Sequence, residues 1–386
     1  MEVYILDSNY EKLGLIDNAE SVLWNKKLIE VGECELYVPA DNEHINLIIN
    51  GKYIYREDDE MLCEIRSVEL ETNVEQGDYI IVTGHDMKSV LSGRVVATEL
   101  TYSGSVANFI KKVIVDNVIN PTQIQRAINN FTFNDSNFDE FTETINTNVS
   151  NEDILELIKT TCLTYNYGFK VKYINDTKTL EFGLIKGKNK ANITSETYIE
   201  FSPTYSNIIS SKYKEDVSNY KNLCYISYKD LNEKVQLMSV FNTPVEPVGE
   251  DRKEIYVDGS STNREITFEE LQTMYPDVTL SGSSYKNNGV VVANVSEDKI
   301  VVTDATYLLL IKTIALNTLA SHSKQFAFEG EVDSINSYTY KVDYDLGDIV
   351  KVINEYGIEA QAMITEVLES DDNEQGYIVT PKFEYI

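Results

Sequence analysis

Short runs in which every second residue is apolar recur along the first hundred residues of the chain. They include EVYILD, YIYRE, CEIRSVELET and DYIIVTGHD, and turn-forming residues such as Asn50-Gly51 and Gln76-Gly77-Asp78 lie between them. Alternation with a period of two is typical of strands that bury one face, and such turn residues favour short hairpin connections. The pattern predicts an all-β meander over residues 1–100.

Residues 101–205 mix helical and strand-like patterns. Ser105 is a candidate N-cap for a helix whose apolar residues share one face, namely Val106, Phe109, Ile110, Val113 and Ile114. Ser150 and Asp153 resemble the start of a second helix, in which Ile154, Leu157 and Ile158 lie on one side. Alternating arms around Asn175-Asp176 predict a hairpin. We therefore expect an α+β insert.

The rest of the chain is interpreted as three segments. Residues 206–304 are rich in strand patterns and are expected to form a second barrel or insert. Residues 305–324 predict an apolar helix, whose apolar residues cover most of its circumference: Leu308, Leu309, Ile311, Ile314, Ala315, Leu316 and Leu319. Such a helix is either deeply buried or lies against another subunit. Residues 325–386 are β-rich again and are expected to complete the first unit, with a terminal hairpin across SDDNEQG.

The stretch YKVDYDLGDIVKVIN, from Tyr340 to Asn354, predicts a long strand with one interruption. Apolar residues alternate up to Leu346 and resume at Val350, and Gly347-Asp348 separates the two halves. Glycine gives the backbone the freedom for a bulge or a sharp bend, and an aspartate can accept backbone N–H groups there. The same pattern also fits an ordinary hairpin turn of any β protein.

The charge of the chain limits its partners. The chain has 63 acidic and 33 basic residues among 386, which gives a formal net charge of −30 at pH 7. The sequence has no basic stripe that could neutralise phosphates, so specific nucleic-acid binding is not expected. The charge fits solubility alone, and it also fits the repulsion of a polyanion that passes nearby.

Cysteine usage and the amino terminus bear on the compartment. Cys34, Cys63, Cys162 and Cys224 are dispersed, without a CxxC motif, so we expect buried thiols rather than disulfides or a zinc site. The sequence begins with strand-like alternation instead of a basic and apolar signal region, and no run reaches about 18 apolar residues. We expect synthesis in a cytoplasm, with no signal peptide and no membrane span.

The histidines do not form a recognisable catalytic motif. His85 and Asp86 end a predicted strand, where active-site residues are often found, but no GxSxG or papain-like motif accompanies them. Turn hydrogen bonds are the favoured interpretation of this pair. His44 and His322 are far apart in sequence and give no HExxH motif. We assign no catalytic or cofactor-binding residue and no cofactor.

One acidic segment has part of the spacing of a calcium-binding loop. Asp135, Asn137 and Asp139 are two positions apart from one another. Glu140 stands where such a loop needs glycine, and Asn146 stands where the bidentate glutamate belongs. We therefore expect a solvated acidic loop and assign no metal ligand.

Two further acidic stretches are interpreted as surface turns. They are REDDE at Arg56–Glu60 and SDDNEQG at Ser370–Gly376, and both are expected to be solvated hairpin tips. A carboxylate pair for glycoside cleavage cannot be selected, because 63 acidic residues produce chance pairs.

The order of several segments resembles the tail hub proteins of tailed bacteriophages. The strand-rich start is followed by ILELIKTTCLTYNYGFKV and KTLEFGLIKGK, then by YKEDVSNYKNLCYISY, an apolar helix, and YDLGDIVKVINEYGIEAQAMITEVLES. This order is similar to siphophage tail hubs, to the amino-terminal hub part of tail-associated lysins and to the baseplate hubs of contractile tails. The resemblance covers nearly the whole chain.

The resemblance implies a mostly β, multi-domain fold with barrel-like, tail-tube-related domains that form a ring. By resemblance the ring is a trimer around the DNA channel, in which two barrel-like domains per chain match hexameric tail rings, and it joins the tail tube to a fibre or spike. The implied partners are other copies of the chain, a distal tail or tube protein, a tape-measure protein and a spike or fibre protein. The implied location is the virion tail tip or a phage-tail-like particle.

Two alternatives from other functional classes stay open at this point. A receptor- or carbohydrate-binding tail protein needs an exposed aromatic cluster, for which SKYKEDVSNYKNLCYISY is the candidate. A cell-wall hydrolase needs a catalytic module, but the sequence stops at TPKFEYI, and residues 236–304 lack histidine. We therefore expect a protein that is not an enzyme.

Overall fold

In the computed structural model of the chain, residues 1–73, 77–194, 197–296, 299–332 and 338–385 are described. The chain divides into two compact units. The first combines Met1–Lys214 with Ala327–Ile386, and the second is Glu215–Phe326. The first unit is therefore built from both ends of the sequence. The division into five segments made from the sequence stays a prediction.

Before Leu100, the described residues form seven strands and an α-helix that the sequence did not predict. These elements are β1 (Val3–Leu6), β2 (Lys12–Ile16), β3 (Ser21–Lys27), β4 (Glu33–Pro39), α1 (Asn42–Asn50), β5 (Tyr53–Tyr55), β6 (Leu62–Asn73) and β7 (Gly77–Asp86). The prediction of an all-β region is wrong at α1. The side chain of Asp41 accepts a hydrogen bond from the backbone N–H of His44 at 2.8 Å, which caps the helix, and Ile48 is buried in the core.

The next segment contains the predicted helices and the predicted hairpin. Its elements are β8 (Leu100–Ser105), α2 (Val106–Ile114), β9 (Phe131–Asn134), β10 (Thr144–Val149), α3 (Ile154–Tyr165), β11 (Gly168–Ile174), β12 (Thr179–Ile185) and β13 (Glu200–Phe201). Ser105 accepts from the backbone N–H of Asn108 at 3.2 Å, and Asp153 accepts from that of Glu156 at 3.1 Å. The N-cap at Ser105 and the pairing of β11 with β12 are thus confirmed. The second helix begins in the predicted place, with Asp153 as its N-cap and Ser150 outside it.

The second unit packs two small sheets against one long helix. After β14 (Ile208–Asp216), which spans the unit boundary, its elements are β15 (Leu223–Lys229), β16 (Val235–Phe241), β17 (Glu254–Asp258), β18 (Glu265–Ile266), α4 (Phe268–Met274), β19 (Thr279–Ser281), β20 (Ser284–Asn287), β21 (Val290–Ser296), β22 (Lys299–Val302) and α5 (Asp304–Ser321). Within the described residues, the sheets have the orders β16-β15-β17 and β18-β22-β21-β20-β19.

The long helix α5 buries one face only. Tyr307, Ile311, Ala315 and Leu319 lie in the core of the second unit, whereas Leu316 on the other side is 36% exposed. Burial of the whole circumference within the chain, one of the two alternatives given by the sequence, is therefore wrong. No helix in the described ranges is long and apolar enough to span a membrane.

The closing segment joins the strands of the first hundred residues in one large sheet. It provides β23 (Gln325–Val332), β24 (Ile349–Ile353), β25 (Glu359–Asp372) and β26 (Gly376–Tyr385). Within the described residues the order is β14-β23-β26-β25-β3-β4-β7-β6-β5-β1-β2, and β24 pairs with both β25 and β13. The order has two ends, so these strands do not close a barrel. The mostly β, multi-domain fold class is confirmed.

The segment that leads into β24 is a turn and not the predicted strand. Strand geometry begins at Ile349. Residues 341–343 form a turn in which Lys341 has a positive φ of 66°. The backbone N–H of Asp343 donates to the carbonyl of Thr339 at 2.8 Å, and the Asp343 carboxylate accepts from the Thr339 N–H at 2.7 Å. Local side-chain to backbone bonds therefore override the alternating pattern.

Candidate functional site

Five charged side chains from distant parts of the sequence meet inside the first unit, and we call them the ionic joint. They are Lys26 on β3, Arg56 and Asp59 after β5, Lys341 before β24, and Glu369 on β25. The ammonium of Lys26 contacts the carboxylates of Asp59 and Glu369. The guanidinium of Arg56 donates to Glu369 at 3.1 Å. The ammonium of Lys341 donates to Asp59 at 2.7 Å.

Four members of the ionic joint are buried, and Lys341 reaches in from the surface. Removing charges from water is unfavourable unless each finds a partner, and these contacts supply the partners. The Arg56 guanidinium also lies over the Trp24 ring at 5.4 Å, and the Tyr377 hydroxyl donates to Glu369 at 2.9 Å. The joint therefore connects β3 and β5, near the amino terminus, with β25 in the closing segment.

The electrostatics of the ionic joint favour its charged state. Burial opposes ionisation of Asp59, but attraction to the ammonium groups of Lys26 and Lys341 outweighs it and lowers the pKa of this carboxyl to about 2. Burial raises the pKa of Tyr377, and the neighbouring Glu369 carboxylate raises it further. The tyrosine thus remains a hydrogen-bond donor at neutral pH.

Two cavities adjoin the ionic joint. The smaller has a volume of about 180 Å³ beside Arg56 and Tyr340. The larger has a volume of about 690 Å³ and is lined in part by β11 and β12. It contains five further lysines, each with a carboxylate partner: Lys27 with Glu33, Lys88 with Asp86, Lys170 with Glu60, Lys172 with Glu181 and Lys186 with Glu143. These ammonium groups are already neutralised, so the cavity does not form a prepared anion site.

A second contact fixes the turn before β24. A Cβ on Gly187 would lie 1.7 Å from the carbonyl oxygen of Gly347, so two backbones touch here and only glycine fits. Gly347 itself has a φ of +87°. The Asp348 carboxylate accepts from the backbone N–H of Lys188 at 2.8 Å and pairs with Lys190 at 2.7 Å. The predicted bend, and the predicted backbone acceptor at Asp348, are confirmed.

The histidines do not converge on a catalytic arrangement. The Asp86 carboxylate is buried and accepts from the backbone N–H groups of Gly32 and Lys88, both at 2.9 Å, as the turn interpretation predicted, while His85 is exposed. His44 bonds the Pro39 carbonyl at the start of α1. His322 bonds the Thr318 carbonyl at the end of α5. The imidazoles of His44 and His322 are therefore used locally.

The acidic segment with calcium-loop spacing, Asp135 to Asn146, forms contacts within the chain. Asp135 pairs with the ammonium of Lys111 at 2.5 Å, and the amide of Asn137 donates to the Leu184 carbonyl at 3.5 Å. No cluster of potential metal ligands occurs among the described residues. The four cysteines are buried free thiols, as predicted, and burial raises the pKa of Cys162 to about 12.

One of the two acidic stretches is not a solvated tip. Arg56 and Asp59 are buried in the ionic joint, so this part of the prediction for Arg56–Glu60 is wrong. One feature of the sequence could have indicated this burial, namely an arginine within a run of acidic residues. The carboxylates of such a run can serve as counter-charges for the arginine inside the protein. The prediction for the other stretch is confirmed, because residues 373–375 connect β25 to β26 and are exposed.

The tyrosine-rich stretch does not form the exposed aromatic cluster that a receptor-binding role needs. Tyr213, Tyr220, Tyr225 and Tyr228 are all half-buried. The Tyr225 hydroxyl accepts from Arg252 at 2.6 Å. Tyr228 packs against the core of the second unit.

Comparison with known protein families identifies a match that spans almost the whole sequence. Residues 2–383 match the family described as Siphovirus ReqiPepy6 Gp37-like protein. The chain belongs to this family. The resemblance to phage tail proteins noted from the sequence is thus confirmed at the level of family and fold. Comparison with curated proteins finds no significant match.

Two solved structures are similar to the chain over nearly their full lengths. One is a tail protein from Neisseria meningitidis MC58, with a TM-score of 0.54 and 11% identity over 99% of this chain and 95% of that one. The other is the 43 kDa tail protein of prophage MuSo2 from Shewanella oneidensis, with a TM-score of 0.53 and 9% identity over 99% and 97%. The chain therefore has the fold of phage tail proteins.

Proposed function

We propose that the chain is a structural hub protein of a siphovirus-type tail. In this proposal three copies form a ring at the tail tip, around the channel through which DNA passes. The observation that carries the proposal is the family match over residues 2–383, together with a fold shared with two tail proteins over 99% of the chain.

The architecture of the first unit supports a load-bearing role. Both ends of the chain contribute to one large sheet, and the ionic joint connects them. The Gly187–Gly347 contact connects the closing segment to the segment after β12. A subunit that is held together across distant parts of its sequence resists local opening. The role is structural rather than catalytic, because the polar groups of the site are engaged in internal bonds.

The charge supports a position next to DNA without tight binding. A net charge of −30 per chain repels phosphate, so a ring of such chains would let DNA slide past. The neighbours proposed for this position are a distal tail or tube protein, a tape-measure protein and a spike or fibre protein.

Labelling of intact particles tests the proposed position. Antibodies raised against the purified chain are applied to the phage particles that contain it, and the label is located by electron microscopy. We expect label at the end of the tail far from the head. Label along the tail shaft or on the head would contradict the proposal. Antibodies against a head protein serve as the control.

A further inference from the structure

We propose that successive copies of the chain join edge to edge through the three-stranded sheet of the second unit, with β16 of one copy antiparallel to β17 of the next. This inference rests on the proposed ring. It adds the surfaces through which the ring closes, and the occupant of each edge is a second copy of this chain.

Both outer strands of this sheet have an open edge. The strand order is β16-β15-β17, so in the described part of the chain β16 and β17 each pair with β15 alone. An open edge presents backbone N–H and C=O groups to any strand that can align with it. One copy thus carries two different edges, and contacts between different surfaces of identical chains generate a ring when the rotation closes.

The strand β16 lacks the features that usually protect an edge strand from pairing. Its sequence is VQLMSVF, with no charged residue and no proline, although 25% of the chain is charged. Charges and prolines are the common protection of exposed edges. Two chains with a net charge of −30 each repel one another, so an uncharged edge is a place where an acidic strand of another copy can approach.

The face of the sheet that points away from the core is open and partly apolar. Val235 and Leu237 on β16 are 57% and 59% exposed, and Tyr256 on β17 is 60% exposed. Leu237 lies opposite Ser227 of β15, and Tyr256 lies opposite Tyr225 of the same strand, so all of them share this face. Exposed apolar side chains that are grouped on one face are typical of interaction sites.

Strand directions fix how the two edges meet. β15 runs parallel to β17 and antiparallel to β16. Rotation about an axis along the strands keeps the strand direction and the outward face, so β16 of one copy meets β17 of the next in antiparallel order. Placing Leu237 opposite Tyr256 also sets Met238 opposite Ile255 on the core side, where both are half-buried at the margin of the core. Such apolar cross-strand pairs are stabilising.

The charges of β17 tolerate this register. Its charged residues are Glu254 and Asp258, which would lie opposite Ser239 and Val235 of the next copy. No like charges therefore oppose one another across the contact, which would be destabilising. Glu254 also pairs with Arg252 of its own copy.

Pairing of β16 with β16 of a second copy is the competing contact. Centred on Met238, it would place Leu237 opposite Ser239 and leave β17 open. A twofold contact of this kind uses the same surface twice and stops at two copies. Pairing of β16 with β17 uses both edges of every copy, as a ring of three requires.

Paired cysteines in the full chain test the contact. The test variant carries Leu237→Cys and Tyr256→Cys. Within one copy β15 lies between these positions, so two strand spacings, about 9 to 10 Å, separate their Cα atoms, whereas a disulfide needs them within about 7 Å. Any link between the two new cysteines therefore joins two copies. The four native cysteines are buried free thiols.

Three controls accompany this variant. They are Leu237→Cys alone, Tyr256→Cys alone, and Leu237→Cys combined with Leu280→Cys on β19, where Leu280 is 57% exposed. Circular dichroism and thermal unfolding verify that each variant folds. Mild oxidation with copper phenanthroline is followed by electrophoresis without reductant, and light scattering gives the mass of the wild-type chain at the same concentration.

We expect the paired variant to give covalent dimers and trimers that a reductant dissolves, in a yield that no control reaches. A wild-type chain that assembles in threes while the paired variant links no more than the controls overturns the pairing and leaves the ring intact. Covalent dimers from Leu237→Cys alone reveal the twofold β16 contact and also overturn it. A wild-type chain that stays monomeric at every concentration contradicts both ring and pairing.

Charge substitution gives a second measurement that needs no oxidation. Leu237→Glu places a carboxylate between Glu254 and Asp258 of the next copy, and Tyr256→Lys removes the apolar partner of Leu237. Each should raise the midpoint concentration for assembly by about tenfold, because all three contacts of the ring are weakened. The combined variant should recover, since opposite charges then face each other, and Leu280→Glu should stay within about twofold of wild type. Equal midpoints for all variants overturn the pairing.

Discussion

The guanidinium of Arg56 donates to the carboxylate of Glu369 at 3.1 Å, across 313 positions of sequence. The contact joins β25 to the loop that follows β5, and both side chains are buried. Lys26 and Tyr377 contact the same carboxylate, so Glu369 is the shared acceptor of the ionic joint. Its loss would leave the buried Arg56 guanidinium with the exposed carboxylate of Asp58 as its direct partner.

Glu369→Ala is therefore expected to destabilise the chain strongly. Breaking a buried ion pair by removing one partner typically costs about 3 to 5 kcal/mol, and urea unfolding measures the change. Glu374→Ala, at an exposed position of the turn between β25 and β26, is the control and should change stability by less than about 0.5 kcal/mol. Equal stabilities of the two variants would show that the ionic joint does not hold the two ends together.

The lowered pKa of Asp59 predicts a specific loss of stability in acid. Lys26 and Lys341 hold the pKa at about 2, below its unfolded value of about 3.9. A depressed carboxyl pKa contributes stability above the unfolded pKa, and this contribution is lost as the pH falls from about 4 toward 2. It amounts to about 2 to 3 kcal/mol at neutral pH.

Asp59→Asn checks this dependence. The difference in unfolding free energy between wild type and variant should be largest above about pH 4 and should shrink as the pH falls toward 2. Asp176→Asn, at an exposed position of the hairpin between β11 and β12, is the control. A difference for Asp59→Asn that stays constant across this pH range would argue against the assigned ion pairs.

The backbone contact at Gly187 predicts that even a methyl group is rejected there. A Cβ would lie 1.7 Å from the Gly347 carbonyl oxygen, so Gly187→Ala must displace the turn before β24. We expect a loss of about 1 to 3 kcal/mol or more, measured by thermal unfolding. Gly183→Ala on β12 has no atom within 4 Å of the new methyl group and should be neutral or slightly stabilising. Similar losses for both variants would refute the contact.

The two faces of α5 should respond differently to a charge. Ile311 is fully buried and Leu316 is 36% exposed. Ile311→Glu should unfold the second unit, because an unpaired buried carboxylate is strongly unfavourable. Leu316→Glu should leave it folded, with a change of less than about 1 kcal/mol. Circular dichroism and limited proteolysis distinguish the two results, and unfolding by Leu316→Glu would place that face in the core.

Local patterns predicted the secondary structure best where side chains act on their own segment. The N-cap at Ser105, the start of α3 near Asp153 and the hairpin of β11 and β12 are confirmed, because capping and alternation are short-range effects. Helix α1 was missed within a region of strong alternation. The segment before β24 was predicted as a strand, although Asp343 and a positive φ at Lys341 make it a turn.

The sequence could have indicated an internal ion pair at Arg56, but it could not indicate the partners that form the ionic joint. Its members Arg56 and Asp59 stand in an acidic run that is typical of a solvated turn, and their partners Lys26 and Glu369 are distant in sequence. Whether a charge is buried depends on which strands pair, and β25 pairs with β3 although the two strands are far apart in the sequence. The bend at Gly347 was predictable, but its neighbour Gly187 was not.

The mass of the wild-type chain in solution tests the proposed ring most directly. Light scattering behind size exclusion, over a series of concentrations, compares the measured mass with the chain mass of 43.9 kDa. A discrete species of three chain masses that persists on dilution is the predicted result. A species of one chain mass at every concentration would contradict a ring that assembles from this chain alone.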